Sequence, residues 1–283
     1  MVKKIVFTAG ILSFLFAAVL MPSAVKAADV SVGGSVWVSE WDPFFKKAKE
    51  QSSTDSVPKS VIDPATGTMK NATSEAFNQS FSIDPGVVVG PLFSIRLSDR
   101  ISWANALLLG RYTGTIKTTQ SYIYDDATSW SGSGTSSLTV WRGDLDSTLN
   151  YSLNRYFKVF GGLKCMYMSY SFDSSTTLNK GVGPGLGFSA SLPVMDNFFA
   201  LFNLSGLYLR NVLSGGDDGD MWFNVYGVNS SLSLAYYFPS LNLTASAGVR
   251  YQQLRYMEST ANTGVDNTDD KFYGLVLSLI YTF

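Results

Sequence analysis

Hydrophobic residues recur at every second position along most of this chain, and its last strand-like segment shows the pattern most clearly. One set of alternate positions there is wholly apolar: Tyr273, Leu275, Leu277, Leu279, Tyr281 and Phe283. The residues between them are mixed: Phe272, Gly274, Val276, Ser278, Ile280 and Thr282. A period of two predicts a β-strand with two different faces. Because aromatic residues stand at both ends of the apolar face, the pattern favours a face turned to lipid.

Nine other segments alternate in the same way, so the sequence predicts ten strands. Their approximate ranges are 30–41, 80–97, 101–113, 138–153, 156–170, 182–194, 198–210, 222–238, 241–256 and 271–283. The connections are alternately tight, near 98–100, 154–155, 195–197 and 239–240, and long, near 42–79, 114–137, 171–181, 211–221 and 257–270. In outer-membrane barrels the short turns are periplasmic and the long loops extracellular.

Aromatic residues fall at matched heights on the predicted outward faces. The predicted membrane-interface girdle is Phe81, Tyr112, Trp141, Tyr151, Phe157, Tyr167, Phe198, Tyr208, Tyr226, Tyr236, Tyr251, Tyr273 and Phe283. Pairs such as Trp141 and Tyr151 lie ten positions apart on one strand. Ten residues at about 3.3 Å each, tilted by roughly 40°, rise about 25 Å, which matches the apolar band of a membrane barrel. A soluble β-sandwich would alternate without matched girdles.

The last strand resembles the C-terminal closing strand of bacterial outer-membrane β-barrels, whose terminal aromatic residue is read by the assembly machinery. The resemblance implies an assembly signal at Tyr281 and Phe283. It also implies contacts with outer-membrane lipid and lipopolysaccharide, and with the barrel-assembly machinery and periplasmic chaperones during biogenesis. The predicted fold is an all-β, closed, antiparallel up-and-down transmembrane barrel of about ten strands. Twelve strands would require a hairpin inside the first long loop, against which Pro58 and Pro64 argue.

The N-terminus has the pattern of a secretory signal peptide. Lys3 and Lys4 precede an apolar run that ends near Met21, and Val25-Lys26-Ala27 fits a cleavage site. We therefore predict a signal peptide at residues 1–27 and a barrel domain at 28–283, located in the bacterial outer membrane. The apolar run is short for a transmembrane anchor, and no later run of 18 or more apolar residues follows.

The predicted inward faces place a layer of charges in the upper lumen. Its members are Asp84, Arg111, Arg142, Asp144, Asp146, Lys164 and Arg250. They are interpreted either as a structural salt-bridge network or as a constriction or ligand site. Small barrels usually fill their interiors with side chains. The inward glycines Gly181, Gly183, Gly185 and Gly187 either admit neighbouring side chains or leave a cavity.

Composition removes several classes of function. Without the signal peptide the chain has 18 basic and 22 acidic residues, because three of its 21 lysines and arginines lie in residues 1–27; the net charge is −4. No basic surplus indicates nucleic acid. The chain has no histidine, so a catalytic Ser-His arrangement is excluded. The strand count is similar to that of the omptin proteases, but their site uses histidine and this chain departs from it there.

Other candidate chemistry is weak. Asp144 and Asp146 could act as an acid–base pair, but their neighbour Arg142 favours ion pairing over catalysis. The only cysteine, Cys165, has no partner for an internal disulfide. No cluster of histidine and cysteine offers a metal site, and we predict no cofactor.

The long loops offer two further candidates. Acidic clusters at 125–126, 217–220 and 266–270 are either solvated turns or Ca²⁺ ligands. The first loop carries an exposed aromatic and basic cluster, Phe44-Phe45-Lys46-Lys47, that folds over the mouth, contacts lipopolysaccharide or binds a partner.

Two functional hypotheses follow. The first is a non-enzymatic barrel with a largely filled polar lumen, which acts in surface binding or envelope integrity through its extracellular loops. The alternative is a narrow porin-like channel for small solutes or ions, with the charge layer as its constriction. The sequence does not predict the oligomeric state.

Overall fold

The computed structural model describes residues 30–46, 59–126, 128–173, 175–215, 220–259 and 268–283, without the side chains of 59, 73–77, 258 and 259. The predicted signal peptide lies outside these ranges. The strands are β1 (Val30–Asp42), β2 (Lys59–Ile62), β3 (Met69–Ile83), β4 (Gly86–Arg96), β5 (Ile101–Tyr124), β6 (Ser129–Ser152), β7 (Phe157–Phe172), β8 (Ser175–Met195), β9 (Phe198–Ser214), β10 (Met221–Phe238), β11 (Leu243–Ser259) and β12 (Thr268–Thr282).

Ten of these strands form a closed antiparallel ring. Their order is β1-β4-β5-β6-β7-β8-β9-β10-β11-β12, and β12 pairs with β1 to complete the circle. The predicted ten-stranded barrel is confirmed. Closure leaves no free edge around the ring, so every strand can satisfy its backbone hydrogen bonds within the sheet.

The two ends of the barrel differ as predicted, and we call them the short-turn end and the long-hairpin end. At the short-turn end, the turn between β6 and β7 is fixed by Asn154, whose Oδ1 accepts the backbone N–H groups of Tyr156 and Phe157. The turns after β8 and β10 use Asn197 and Asn242 in the left-handed conformation, at φ 60° and 49°. Asparagine tolerates this conformation better than most residues.

At the long-hairpin end, the strands continue well beyond the predicted limits. Residues 114–123 of β5 pair with β6 and lie beside β3 on the other edge, where the sequence predicted a loop. Strand β2 pairs with β3, so the first long loop contains a hairpin after all. The expectation that Pro64 excludes one is wrong, because Pro64 lies in the turn, where Asp63 Oδ1 accepts the N–H of Ala65. The hairpin stands above the ring and does not add to its ten strands.

The outside of the ring is apolar and the inside is mixed. On β12, Leu275, Leu277 and Leu279 are each more than half exposed, which is the exposure expected of side chains that lipid covers. Between them, Gly274, Val276 and Ser278 face the interior. Within the described ranges, no helix is both long enough and apolar enough to cross a membrane.

Candidate functional site

Four charged side chains form a buried network in the middle of the lumen. Arg142 Nε donates to Asp144 Oδ2 at 2.7 Å. Lys164 Nζ lies 3.4 Å from Asp144 Oδ1 and 2.9 Å from Asp146 Oδ1. The network forms because Asp144 and Asp146 point inward from β6 while Lys164 lies directly opposite Asp146 on β7. Arg142 and Asp144 are 2% and 1% exposed, so water contributes little to their solvation.

Aromatic rings and an amide complete the surroundings of Arg142. Its guanidinium lies 3.9 Å from the centre of the Phe272 ring and 5.3 Å from that of Trp37, and Nη2 donates to Gln252 Oε1. Arg250 lies over the same Trp37 ring, at 4.6 Å, and donates from Nε to Asn229 Oδ1 at 3.0 Å. Cation–π contacts of this kind are strongest where water is excluded.

Above this network, aromatic residues pack together inside the barrel, and we call this cluster the plug. It consists of Trp41, Phe44, Tyr112, Tyr170, Tyr256 and Phe272, all less than 9% exposed. Phe44 belongs to a short helical turn after β1 that folds into the barrel, and its ring lies 4.8 Å from that of Tyr256. The rings of Trp41 and Phe272 are parallel, with centres 6.0 Å apart.

A single carboxylate holds the plug. Asp270 is fully buried, and its Oδ1 accepts the indole N–H of Trp41 at 3.0 Å and the backbone N–H of Phe44 at 2.9 Å. Its Oδ2 accepts the hydroxyl of Tyr256 at 2.7 Å. Asn179 donates in turn to the Tyr256 oxygen at 3.1 Å. These bonds join the end of β1 and the turn after it to β11 and β12. The plug is therefore held by three uncharged groups that donate to the one buried carboxylate of Asp270.

Two cavities lie on either side of the buried layers, and we call them the lower cavity and the upper pocket. The lower cavity, of about 160 Å³, reaches from Asp146 and Lys164 toward the short-turn end and is lined by small polar residues such as Thr148 and Asn203. The upper pocket, of about 360 Å³, lies above the plug and includes Phe44 in its lining. The two cavities share no lining residue, and the buried side chains of Trp37 and Arg142 line neither of them.

The structure places five of the seven predicted lumen charges inside the barrel: Arg142, Asp144, Asp146, Lys164 and Arg250. Arg111 and Asp84 do not join them. Arg111 is exposed on the outer face, where its guanidinium lies 5.6 Å from the centre of the Trp141 ring. Asp84 is exposed and accepts the hydroxyl of Thr113 at 3.1 Å.

The predicted girdle needs two related corrections. Tyr112 is 1% exposed and donates or accepts a 2.6 Å hydrogen bond with Ser39 inside the barrel. It faces inward because the alternation on β5 is shifted by one residue from the prediction, which also turns Arg111 outward. Phe81 faces inward as well and lies 5.3 Å from Phe45. Between Ile83 and Val87 the chain has one residue more than the stretch of β5 that it pairs with. Odd-numbered residues therefore face inward at the end of β3 and even-numbered residues face inward on β4.

The remaining girdle residues lie on the outer face. Exposure or direct pairing with an exposed neighbour places them there: Trp141, Tyr151, Phe157, Tyr167, Phe198, Tyr208, Tyr226, Tyr236, Tyr251, Tyr273 and Phe283. The rings of Tyr281 and Phe283 contact each other at 4.8 Å. Their role as an assembly signal stays a prediction.

The inward glycines of β8 show both predicted outcomes: some make room for neighbouring side chains, and one lines a cavity. A Cβ at Gly181 would lie 2.2 Å from Asn211 Oδ1, and one at Gly187 would lie 2.4 Å from the Phe160 ring, so these two positions admit neighbouring side chains. At Gly185 the nearest atom would be 3.5 Å away, and this glycine lines the lower cavity. The neighbours are Asn211 and Phe160, which the sequence pattern did not single out.

Sequence reasoning missed the residues of the plug. Trp41 is the last residue of a predicted strand, and the sequence predicts the aromatic cluster at Phe44 and Phe45 to be exposed. Phe44 is 8% exposed and Phe45 packs against Phe172, with ring centres 6.3 Å apart. Asp270 was taken as part of an acidic loop. The available signal was its position two residues before Phe272 on the same inward face.

Two other acidic loop residues have ordinary ion-pair partners. Asp126 pairs with Lys70 at 3.1 Å and Asp269 with Arg255 at 2.8 Å. Asp217 and Asp218 lie outside the described residues. In the described part of the chain, no three carboxylate, histidine or cysteine side chains gather in a group that could hold a metal ion.

Comparison with known proteins gives likeness in fold only. No protein-family model matches the chain, and no curated protein matches it significantly. Among solved structures, the outer membrane protease OmpT from Escherichia coli aligns with 93% of this chain and 100% of its own, at 10% identity and a TM-score of 0.47. An outer membrane channel from Pseudomonas putida F1 aligns with 93% of this chain and 100% of its own, at 14% identity and a TM-score of 0.33. The outer membrane protein OprG from Pseudomonas aeruginosa aligns with 91% of this chain and 97% of its own, at 12% identity and a TM-score of 0.30.

The closed antiparallel ring of ten strands with its apolar outer face is the architecture of a bacterial outer-membrane β-barrel. The solved structures it resembles belong to that class. The activities in their names are those proteins' own, and identities of 10–14% transfer none of them to this chain.

Proposed function

We propose that this protein is a non-enzymatic outer-membrane barrel with a closed lumen, and that it works in surface binding at its long-hairpin end. The observation that supports this most directly is that the lower cavity and the upper pocket share no lining residue, while the barrel interior also holds fully buried side chains such as Trp37 and Arg142. A solute entering from either end meets the Arg142 network or the plug. In an outer-membrane barrel the long-hairpin end is extracellular, so the upper pocket and the raised strands are the parts available to an outside partner.

The lumen charges fit a structural role better than a catalytic one. Both carboxylates of the predicted acid–base pair, Asp144 and Asp146, are engaged by Arg142 or Lys164. An ion-paired carboxylate is a weak general base, because the nearby cation stabilises its charged form. The absence of histidine from the whole sequence removes the usual alternative base.

Planar-bilayer conductance of the refolded protein tests the closed lumen. We expect no discrete conductance steps from the wild-type protein, with folding shown by heat-modifiable gel mobility. Arg142→Ala should lower stability, because it removes the guanidinium that contacts the Phe272 and Trp37 rings and pairs with Asp144. Arg111→Ala is the matched control, since its guanidinium lies outside the ring.

The narrow channel is the second candidate, and the lower cavity favours it. That cavity already reaches the charge network at Asp146 and Lys164. If the plug opened, Arg142 and Lys164 would line the passage. Discrete conductance steps in the wild-type protein would contradict the closed barrel. If the ion selectivity of these steps changed in Arg142→Ala but not in Arg111→Ala, the narrow channel would be the better hypothesis.

A further inference from the structure

The upper pocket has the composition of a site for a small aromatic molecule. Five aromatic side chains form much of its lining: Phe44, Phe45, Phe81, Tyr170 and Phe172. Its volume of about 360 Å³ lies in the range typical of small-molecule sites. No charged side chain lines the pocket among the residues that the structure describes, so the pocket offers no compensation for an ionised ligand.

The walls of the pocket are held in place by contacts that need no ligand. The ring of Phe45 lies 5.3 Å from that of Phe81 and 6.2 Å from that of Tyr170, with the latter pair nearly perpendicular. Below them, Phe44 is fixed through its backbone N–H to Asp270. Edge-to-face ring contacts are the arrangement that aromatic groups prefer. The pocket is therefore formed before any ligand enters, which lowers the entropic cost of binding.

One polar group in the pocket lacks a partner. The side-chain amide of Gln79 donates from Nε2 to Thr118 Oγ1 at 3.3 Å. Its Oε1 is buried, and no donor reaches it from the described residues. A buried acceptor without a donor costs free energy. If the Gln79 amide turned toward the pocket, a ligand that carries an O–H or N–H group would satisfy its oxygen. The rest of the pocket would then contact the apolar body of the same ligand.

We infer that the upper pocket binds a small, neutral aromatic molecule that carries one hydroxyl or N–H donor. Its ring packs among Phe45, Phe81 and Phe172, and its donor bonds to Gln79 Oε1. The inference rests on the proposed function, because it makes the long-hairpin end the binding end. It deepens that proposal by giving the ligand's chemistry.

A pair of probes with and without the donor tests the inference. 1-Naphthol and 1-methoxynaphthalene differ little in shape, but only the first can donate. Titration of each into the refolded protein in detergent micelles, with protein-free micelles subtracted, should give saturable binding. We expect 1-naphthol to bind more tightly by roughly threefold to tenfold, the usual effect of one hydrogen bond.

Three variants locate the binding. Gln79→Leu should remove the preference for 1-naphthol while 1-methoxynaphthalene binding persists. Thr177→Phe places a ring in the pocket and should abolish the binding of both probes. Gln253→Leu is the matched control, because its amide accepts the Tyr251 hydroxyl outside the pocket. Gel mobility checks that each variant folds.

Several results would overturn the inference. No saturable binding, or binding that survives in Thr177→Phe, would remove the pocket as the site. Equal affinity for both probes in the wild type would remove the role of Gln79. Conductance of the same preparation separates this failure from that of the proposed function: a silent bilayer without probe binding refutes the ligand alone, whereas discrete conductance steps refute the closed barrel.

Discussion

A lysine lies between two aspartates in two places in this molecule, once inside the barrel and once above it. Inside, Lys164 lies 3.4 Å from Asp144 and 2.9 Å from Asp146. Above the ring, Lys70 lies 3.3 Å from Asp63 and 3.1 Å from Asp126, and it joins the β2–β3 turn to the β5–β6 turn. The distances are nearly the same. The surroundings differ most between Asp144, whose side chain is fully buried, and Asp126, whose side chain is 47% exposed. The side chains of Asp146 and Asp63 lie between these extremes, at 29% and 6% exposed.

This difference in burial decides what each group contributes. An exposed ion pair exchanges solvation by water for attraction in a screened medium, and the net gain is small. A buried pair has already lost its solvation, so each member depends on the other. The inner group therefore constrains the sequence, because removing one charge leaves its partner buried and unpaired. The outer group positions two turns and tolerates change.

The largest expected effect is that of Asp144→Ala. This change leaves Arg142 buried without its carboxylate, and breaking such a pair typically costs about 3–5 kcal/mol. We expect the urea midpoint of the protein in lipid vesicles to fall accordingly. Asp126→Ala is the matched control, and its midpoint should stay within experimental error of the wild type. Equal midpoints for the two variants would contradict the comparison.

A smaller effect is expected at another buried carboxylate, Asp270, which accepts hydrogen bonds from neutral donors. Tyr256→Phe removes the donor at 2.7 Å from Oδ2, and an acceptor that loses one of its hydrogen bonds typically costs about 1–3 kcal/mol. Tyr273→Phe removes a hydroxyl at the same distance, 2.7 Å, from the exposed carboxylate of Glu40. Since water can replace that donor, the same unfolding measurement should show a clearly smaller loss. A Tyr273→Phe loss as large as that of Tyr256→Phe would show that Asp270 is not the anchor of the plug.

The smallest effect is the acid dependence of the outer group. The pKa of Asp126 is lowered from 3.8 to about 2, chiefly by the hydroxyl and backbone N–H of Thr128 and then by Lys70. The pKa of Asp63 is lowered as well, chiefly by the backbone N–H of Ala65. A lowered pKa means that the carboxylate stabilises this region at pH values above 3.8 and stops doing so as the pH falls through about 2.

Amide hydrogen exchange at Thr128 measures this, because its N–H donates to Asp126 Oδ1 at 2.9 Å. We expect protection to persist at pH 5 and to be lost between about pH 4 and pH 2, while the unfolding of the barrel itself stays cooperative. In Asp126→Asn the exchange should already be fast at pH 5. Protection in that variant equal to the wild type would show that the carboxylate does not hold the turn.

Strand β6 shows how far the sequence pattern reaches. Its inward residues Arg142, Asp144 and Asp146 fixed the register, since a slip by one position would turn three charges to hydrocarbon. The predicted strand at 101–113 contained Arg111 beside Tyr112 and no second charge. An aromatic residue suits either the interface or a packed interior, and a long arginine suits either the lumen or the membrane surface. The phase was therefore ambiguous there, and the aromatic residue was placed on the wrong face.

The sequence by itself determined the class of fold, the ten-stranded ring, its tight turns and the outer apolar face, because alternation and turn chemistry are local properties of consecutive residues. Only the tertiary structure decided what fills the lumen. The plug joins Trp41 and Phe44 to Asp270, more than 220 positions away along the chain, and the upper pocket takes its walls from several strands. Contacts of that kind depend on ring closure, which brings the first and last strands together, and no pattern within one strand contains them.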